Sequence, residues 1–88
     1  MAASRVIHCT FPKALIREPL LYNLGRDFDV MPNIRGATIS DDIGLVYLEL
    51  HGTEPDIEKA VEYLSDRGVE VQPVTGEIPD DGTPPNEL

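Results

Sequence analysis

Between residues 4 and 11 the chain reads SRVIHCTF, where the side chains alternate with a period of two. Ile7, Cys9 and Phe11 fall on one face and Val6, His8 and Thr10 on the other, as successive residues of a strand do. The alternation returns in GLVYLELHG at 44–52. Val46, Leu48 and Leu50 share one face there, and Leu45, Tyr47, Glu49 and His51 the opposite one. A shorter alternating run, VEVQPV, occupies 69–74. TEPDIEKAVEYLSDRG at 53–68 has a different period. Ile57, Ala60, Val61 and Leu64 recur at i, i+3, i+4 and i+7, which makes one helical stripe. Thr53 is a good N-cap with Asp56 three residues on, Pro55 suits the first turn, and Gly68 is the expected left-handed stop. A second helix is predicted in PLLYNLGRDF at 19–28, with Leu20, Leu21 and Leu24 on its stripe, Phe28 just beyond and Pro19 in its first turn. Gly25 either weakens this helix or helps to end it. FPKALIREP at 11–19 reads as a connection.

The segment from Asp29 to Gly52 supplies two strands around the polar turn Ser40-Asp41-Asp42, whose short side chains bond nearby backbone. The first of these strands holds Pro32 and Asn33, residues that strands avoid. Proline cannot donate to a ladder, so it belongs on an edge strand or a bulge. The element order β-α-β-β-α-β is the ferredoxin-like pattern of two split βαβ units. It predicts an α+β fold, a four-stranded antiparallel sheet of order 4-1-3-2 with two helices on one face. Strands two and four are then the edges, and Pro32 and Pro73 fall in those two strands.

Composition limits what such a domain does. Eighty-eight residues make one small domain, marginal by itself and a natural candidate for oligomerisation. Residues 1–74 carry the alternating and helical patterns. Residues 75–88, TGEIPDDGTPPNEL, are acidic and proline-rich and read as a flexible tail. The formal net charge of −9 argues against nucleic acid and anionic membranes as partners. No apolar run approaches the ~20 residues that span a bilayer, and MAASRVIHC carries no signal-peptide apolar region, so the expected location is the cytoplasm. The single cysteine, Cys9, cannot close an intrachain disulfide or build a zinc or iron–sulfur centre, and it reads as buried apolar filler. No metal and no cofactor is expected.

The fold hosts many functions and decides none of them. A phosphatase of the acylphosphatase kind needs a glycine-rich cradle after strand one; Arg17 is present, but the loop FPKALIR has no glycine. A heavy-metal carrier needs paired cysteines. An RNA-recognition domain needs basic residues and several exposed aromatics, and Tyr47 alone on an acidic chain does not suffice. His8 and His51 read as partly solvated strand residues, with His51 placed to help cap the following helix. No catalytic constellation is visible, so no enzyme is expected. If the helices cover Val46, Leu48 and Leu50, then Val6, Leu45 and Tyr47 lie on an open face. A soluble monomer does not leave such a patch bare, so Leu45 and Tyr47 are candidate interface residues of a homodimer.

FDVMPNIRGATI, GLVYLELHGT and AVEYLSDRGVEVQPV, in that order, resemble the NIL domain, named for an Asn-Ile-Leu-like signature and related in shape to ACT domains. FP after strand one and EPLL at the helix start belong to the same pattern, and the resemblance covers roughly residues 5–74. Asn33 and Ile34 match the first two signature letters, while Arg35 stands where the third is often apolar. The resemblance implies a free-standing, non-catalytic regulatory domain. Domains of this family pair and bind methionine at the C-terminus of methionine-importer ATPases, and others adjoin ferredoxin modules in proteins of sulfur amino-acid formation. On this reading Pro32 frees edge backbone for a ligand or partner strand, and Asn33 bonds an amino-acid backbone. Met31 and Ile34 line an apolar pocket, and Arg35 pairs with a carboxylate. The alternative is an interaction subunit that docks, through the open sheet face, on an enzyme or transporter of sulfur amino-acid metabolism.

Overall fold

The computed structural model describes residues 3–74. Four strands, β1 (Ala3–Pro12), β2 (Val30–Ile39), β3 (Ile43–Gly52) and β4 (Glu70–Pro73), form one sheet in the order β2-β3-β1-β4. Every neighbouring pair is antiparallel. This is the α+β ferredoxin-like sheet expected from the pattern, read from the other edge. Pro32 and Pro73 stand on the edge strands, where a missing N–H breaks no interior ladder.

Three helices accompany the sheet: α1 (Lys13–Ile16), α2 (Leu20–Asp27) and α3 (Glu54–Arg67). The short α1 corrects the reading of 11–19 as a bare connection. Pro12 begins it in extended conformation, and Lys-Ala-Leu-Ile then closes a single turn. Pro19 is the N-cap of α2 rather than a residue of its first turn, and Gly25 lies inside the helix. The N-terminus of α3 forms as its residues dictate. The Asp56 N–H donates to Thr53 Oγ1 at 3.2 Å, and the Thr53 hydroxyl donates to Asp56 Oδ2 at 2.8 Å. Gly68 ends the helix at φ 108°, a region that penalises any Cβ.

The core lies between the helices and one face of the sheet. Ile7, Cys9 and Phe11 of β1 and Val46, Leu48 and Leu50 of β3 meet Leu20 and Leu24 of α2 and Ile57, Ala60 and Leu64 of α3. Each large aliphatic side chain buried here contributes about 1.5–3 kcal/mol of transfer free energy. The Ser40 turn closes the β2–β3 hairpin, with Ser40 Oγ accepting from the N–H groups of Asp42 and Ile43. The acidic segment 75–88 lies outside the described residues. Among the described residues, no helix is long and apolar enough to cross a membrane.

The sheet face away from the helices departs from expectation in its middle row. Tyr47 and His8 pair across β3 and β1 and are buried, while Val6 and Leu45 are half-buried. The two rings meet edge to face at 4.7 Å. Tyr47 keeps the face that the alternation assigns it but is buried there, and His8 is buried rather than partly solvated. Only His51 is exposed as expected, and it turns toward Glu49, with Nε2 at 3.6 Å from Oε2.

Candidate functional site

Among the described residues, the large apolar side chains that stay exposed are Tyr22, Met31, Ile34, Ile39 and Ile43. Three belong to β2, Ile43 begins β3 and Tyr22 lies on α2, so this apolar surface gathers along one edge of the sheet. The strand register explains how. Pro32 pairs with Leu50 and Ile34 with Leu48, which places both on the helix-covered face. Met31 pairs with His51 and Asn33 with Glu49, on the opposite face. The register then slips between Ile34 and Gly36. Arg35 is the extra residue of this bulge, and the slip inverts the parity of everything beyond it. Ala37 pairs with Val46 and Ile39 with Gly44, and so both return to the helix-covered face with Ile34.

That shared orientation makes a cleft. Ile34, Ala37 and Ile39 form one wall; Leu20, Leu21 and Tyr22 of α2 form the other, with Ile16 and Pro19 at the end. Phe11, Gly44 and Val46 are its floor. The cavity holds about 220 Å³, below the roughly 300–1,000 Å³ of drug-sized sites, and suits a small guest. Gly44 keeps it open. A Cβ there would lie 3.5 Å from Phe11 Cβ and 3.8 Å from Ile39 Cγ1, ordinary contact that would nevertheless occupy the floor. Among the described residues, Glu18 is the one charged residue in the lining. Its carboxylate accepts a hydrogen bond from Arg67, the last residue of α3.

The sequence-predicted site residues therefore divide between two faces. Ile34 enters the cleft, and Pro32, half-buried, lies beside it on the same face. Met31 and Asn33 are exposed on the other face and share no pocket with Ile34. Arg35 is engaged on that second face as well, its Nη1 donating to Glu49 Oε1 at 2.7 Å. Arg35 is 44% exposed and Glu49 20%, so the pair is partly screened by solvent and contributes about 0–1 kcal/mol. Sequence reasoning missed Ala37, Ile39, Gly44 and Glu18. The signal available for the first two was Gly36, since a glycine inside a strand marks a bulge.

The Cys9 thiol stays out of any chemistry. Burial in the core raises its pKa to about 12. The thiolate is the reactive form, and this one is absent at neutral pH. Among the described residues, no three His, Cys, Asp or Glu side chains stand close enough to hold a metal ion.

With this geometry in hand, comparison with known proteins is informative. The chain matches the NIL domain over residues 5–73. It is 31% identical over 78 residues to the methionine import ATP-binding protein MetN of Halalkalibacterium halodurans. That alignment covers 84% of this chain and 23% of the importer protein, so the chain corresponds to less than a quarter of its relative.

Proposed function

The chain belongs to the NIL-domain family, and from that premise we propose that it is a non-catalytic regulatory domain that binds a small apolar amino acid at the β2 edge. The observation that carries the reading is the cleft between β2 and α2. It is small, apolar, kept open by Gly44 and walled on one side by Ile34, the second residue of the signature. Methionine heads the candidates, because the relative that shares 31% identity is a methionine import protein. The side chain of the guest enters the cleft against Ile34. Met31, Asn33 and Arg35 border the other side of the same edge, where a second copy of the chain meets them. The homodimer and a cytoplasmic location are both part of the proposal. Isothermal titration with L-methionine, L-leucine and L-norleucine is the direct test. Saturable heat with at least one of them supports the reading; flat traces across all three, at protein concentrations above 100 μM (about the range where ~10 μM–1 mM affinities register), overturn it.

A second reading is supported by the exposed Met31, Ile39, Ile43 and Tyr22, which resemble a docking strip more than a solvated edge. On that reading the chain is an interaction subunit for an enzyme or transporter of sulfur amino-acid metabolism. Recovery of one such partner in stoichiometric amount, with no amino-acid binding, would favour it.

A further inference from the structure

We infer that a second cleft, between α1 and the β2–β3 turn, binds a small oxyanion, a phosphate or a carboxylate, and that the Arg17 guanidinium holds it. This site is separate from the β2–α2 cleft, and neither reading depends on the other. Lys13, Ala14, Ile16 and Arg17 line one side of it and Ser40 and Asp41 the other, around about 610 Å³. Lys13 and Arg17 are four positions apart on one helical turn, a spacing that sets side chains on the same side. Arg17 is the C-cap of α1 and still has helical backbone, at φ −89° and ψ −5°. The two cations outnumber Asp41, so the lining carries a formal charge of +1 on a chain of −9.

The state of Arg17 carries the inference. The chain has 16 acidic residues and 7 basic ones, so carboxylate partners are plentiful. Arg5 pairs with Glu54 and Glu58, Arg26 with Asp27, Arg35 with Glu49 and Arg67 with Glu18. Among the described residues, Arg17 is the one arginine whose guanidinium has no ion pair and no hydrogen bond. Its sequence neighbour Glu18 turns to Arg67 instead. Lys13 adds positive field, and it reaches Asp42 only at 4.0 Å, with both side chains exposed. A guanidinium has five N–H donors in a planar fork, which holds a two-oxygen anion through paired charge-assisted bonds. The Ser40 hydroxyl is engaged by the turn, accepting from Asp42 and Ile43 N–H and donating to the Ile43 carbonyl, so it shapes the wall. The glycine-rich cradle of a phosphatase is missing from FPKALIR, so Arg17 serves binding alone.

The test is amide NMR of the full chain, titrated separately with sodium phosphate and sodium acetate at ionic strength held constant with sodium chloride. We expect saturable shifts centred on residues 13–17 and 40–42, with a Kd of about 0.1–10 mM for at least one of the two anions. The tighter arm tells a phosphate site from a carboxylate site. Arg17→Gln should weaken that anion by about threefold or more. Lys59→Gln, which removes one positive charge from α3, should not. Arg17 is exposed, and the dispersion of the variant's own spectrum reports its fold. Shifts that fail to saturate with both anions, or that spread equally over the other arginines, overturn the inference. So does a folded Arg17→Gln chain that binds within about threefold of the unaltered one.

Discussion

Cys9 shows what burial does to one residue. Its thiol titrates at about 12 in the folded chain, against 9.0 for an unperturbed one, and the cause is desolvation. Below pH 9 the thiol is protonated in both the folded and unfolded chain, and its contribution to stability is fully present. Between 9 and about 12 the unfolded chain has released the proton and the folded chain has not, so stability falls as pH rises, by about 1.4 kcal/mol per unit from this group. Cys9→Val keeps the volume roughly constant and removes the titration. Denaturant melts between pH 8 and 11 should show a shallower decline for the variant than for the unaltered chain; parallel curves would refute the assignment. Gly44 is the other residue whose effect is single and separable. Gly44→Val should lower amino-acid affinity by about tenfold or more while leaving the far-ultraviolet circular dichroism unchanged, because its branched methyl groups occupy the floor of the cleft. Unchanged affinity in a folded Gly44→Val protein would place the ligand elsewhere.

At the scale of elements, α3 is specified almost entirely by its own residues. The apolar stripe, the Thr53–Asp56 exchange and the Gly68 stop each coincide with the observed boundaries. Thr53→Ala removes the acceptor for the Asp56 N–H and should cost about 1 kcal/mol. In a domain of this size that is a fall of roughly 4–8 °C in Tm by scanning calorimetry. Gly68→Ala forces a Cβ into left-handed backbone at φ 108° and should cost about 1–2 kcal/mol, measured by urea titration as a lower midpoint with unchanged slope. The strand β2 behaves differently. Its alternation, read straight through, puts Ile34 and Ile39 on opposite faces, because they are an odd number of positions apart. The bulge at Arg35 reverses that and places them in one wall. Met31 and Ile34, three positions apart, fall on opposite faces with or without the bulge, so the strand never brings them into one pocket.

At the scale of the whole molecule, the exposed large apolar side chains among the described residues gather on and around the β2 edge. The proposed homodimer should therefore use that edge. Light scattering at micromolar concentration should give about twice the 9.7 kDa chain mass, and Ile39→Asp should return the monomer. A monomer mass for the unaltered chain would refute the dimer, and a dimer that survives both Ile39→Asp and Met31→Lys would move the interface away from this edge.

The sequence by itself determined the element order, the sheet topology with its proline-marked edges, the caps of α3 and the residues of the core, since each depends on neighbours within a few positions or on a simple period. It also carried the family, through several blocks in a fixed order. Only the tertiary structure decided which side chains share a space. The pairing of His8 with Tyr47 depends on cross-strand register, and register is a property of two strands that neither one contains alone. The cleft needs a bulge in β2, an absent side chain on β3 and the first turn of α2 to coincide. Glu18 and Arg67 lie 49 positions apart in the chain and meet only because α3 packs back beside the connection that leads into α2.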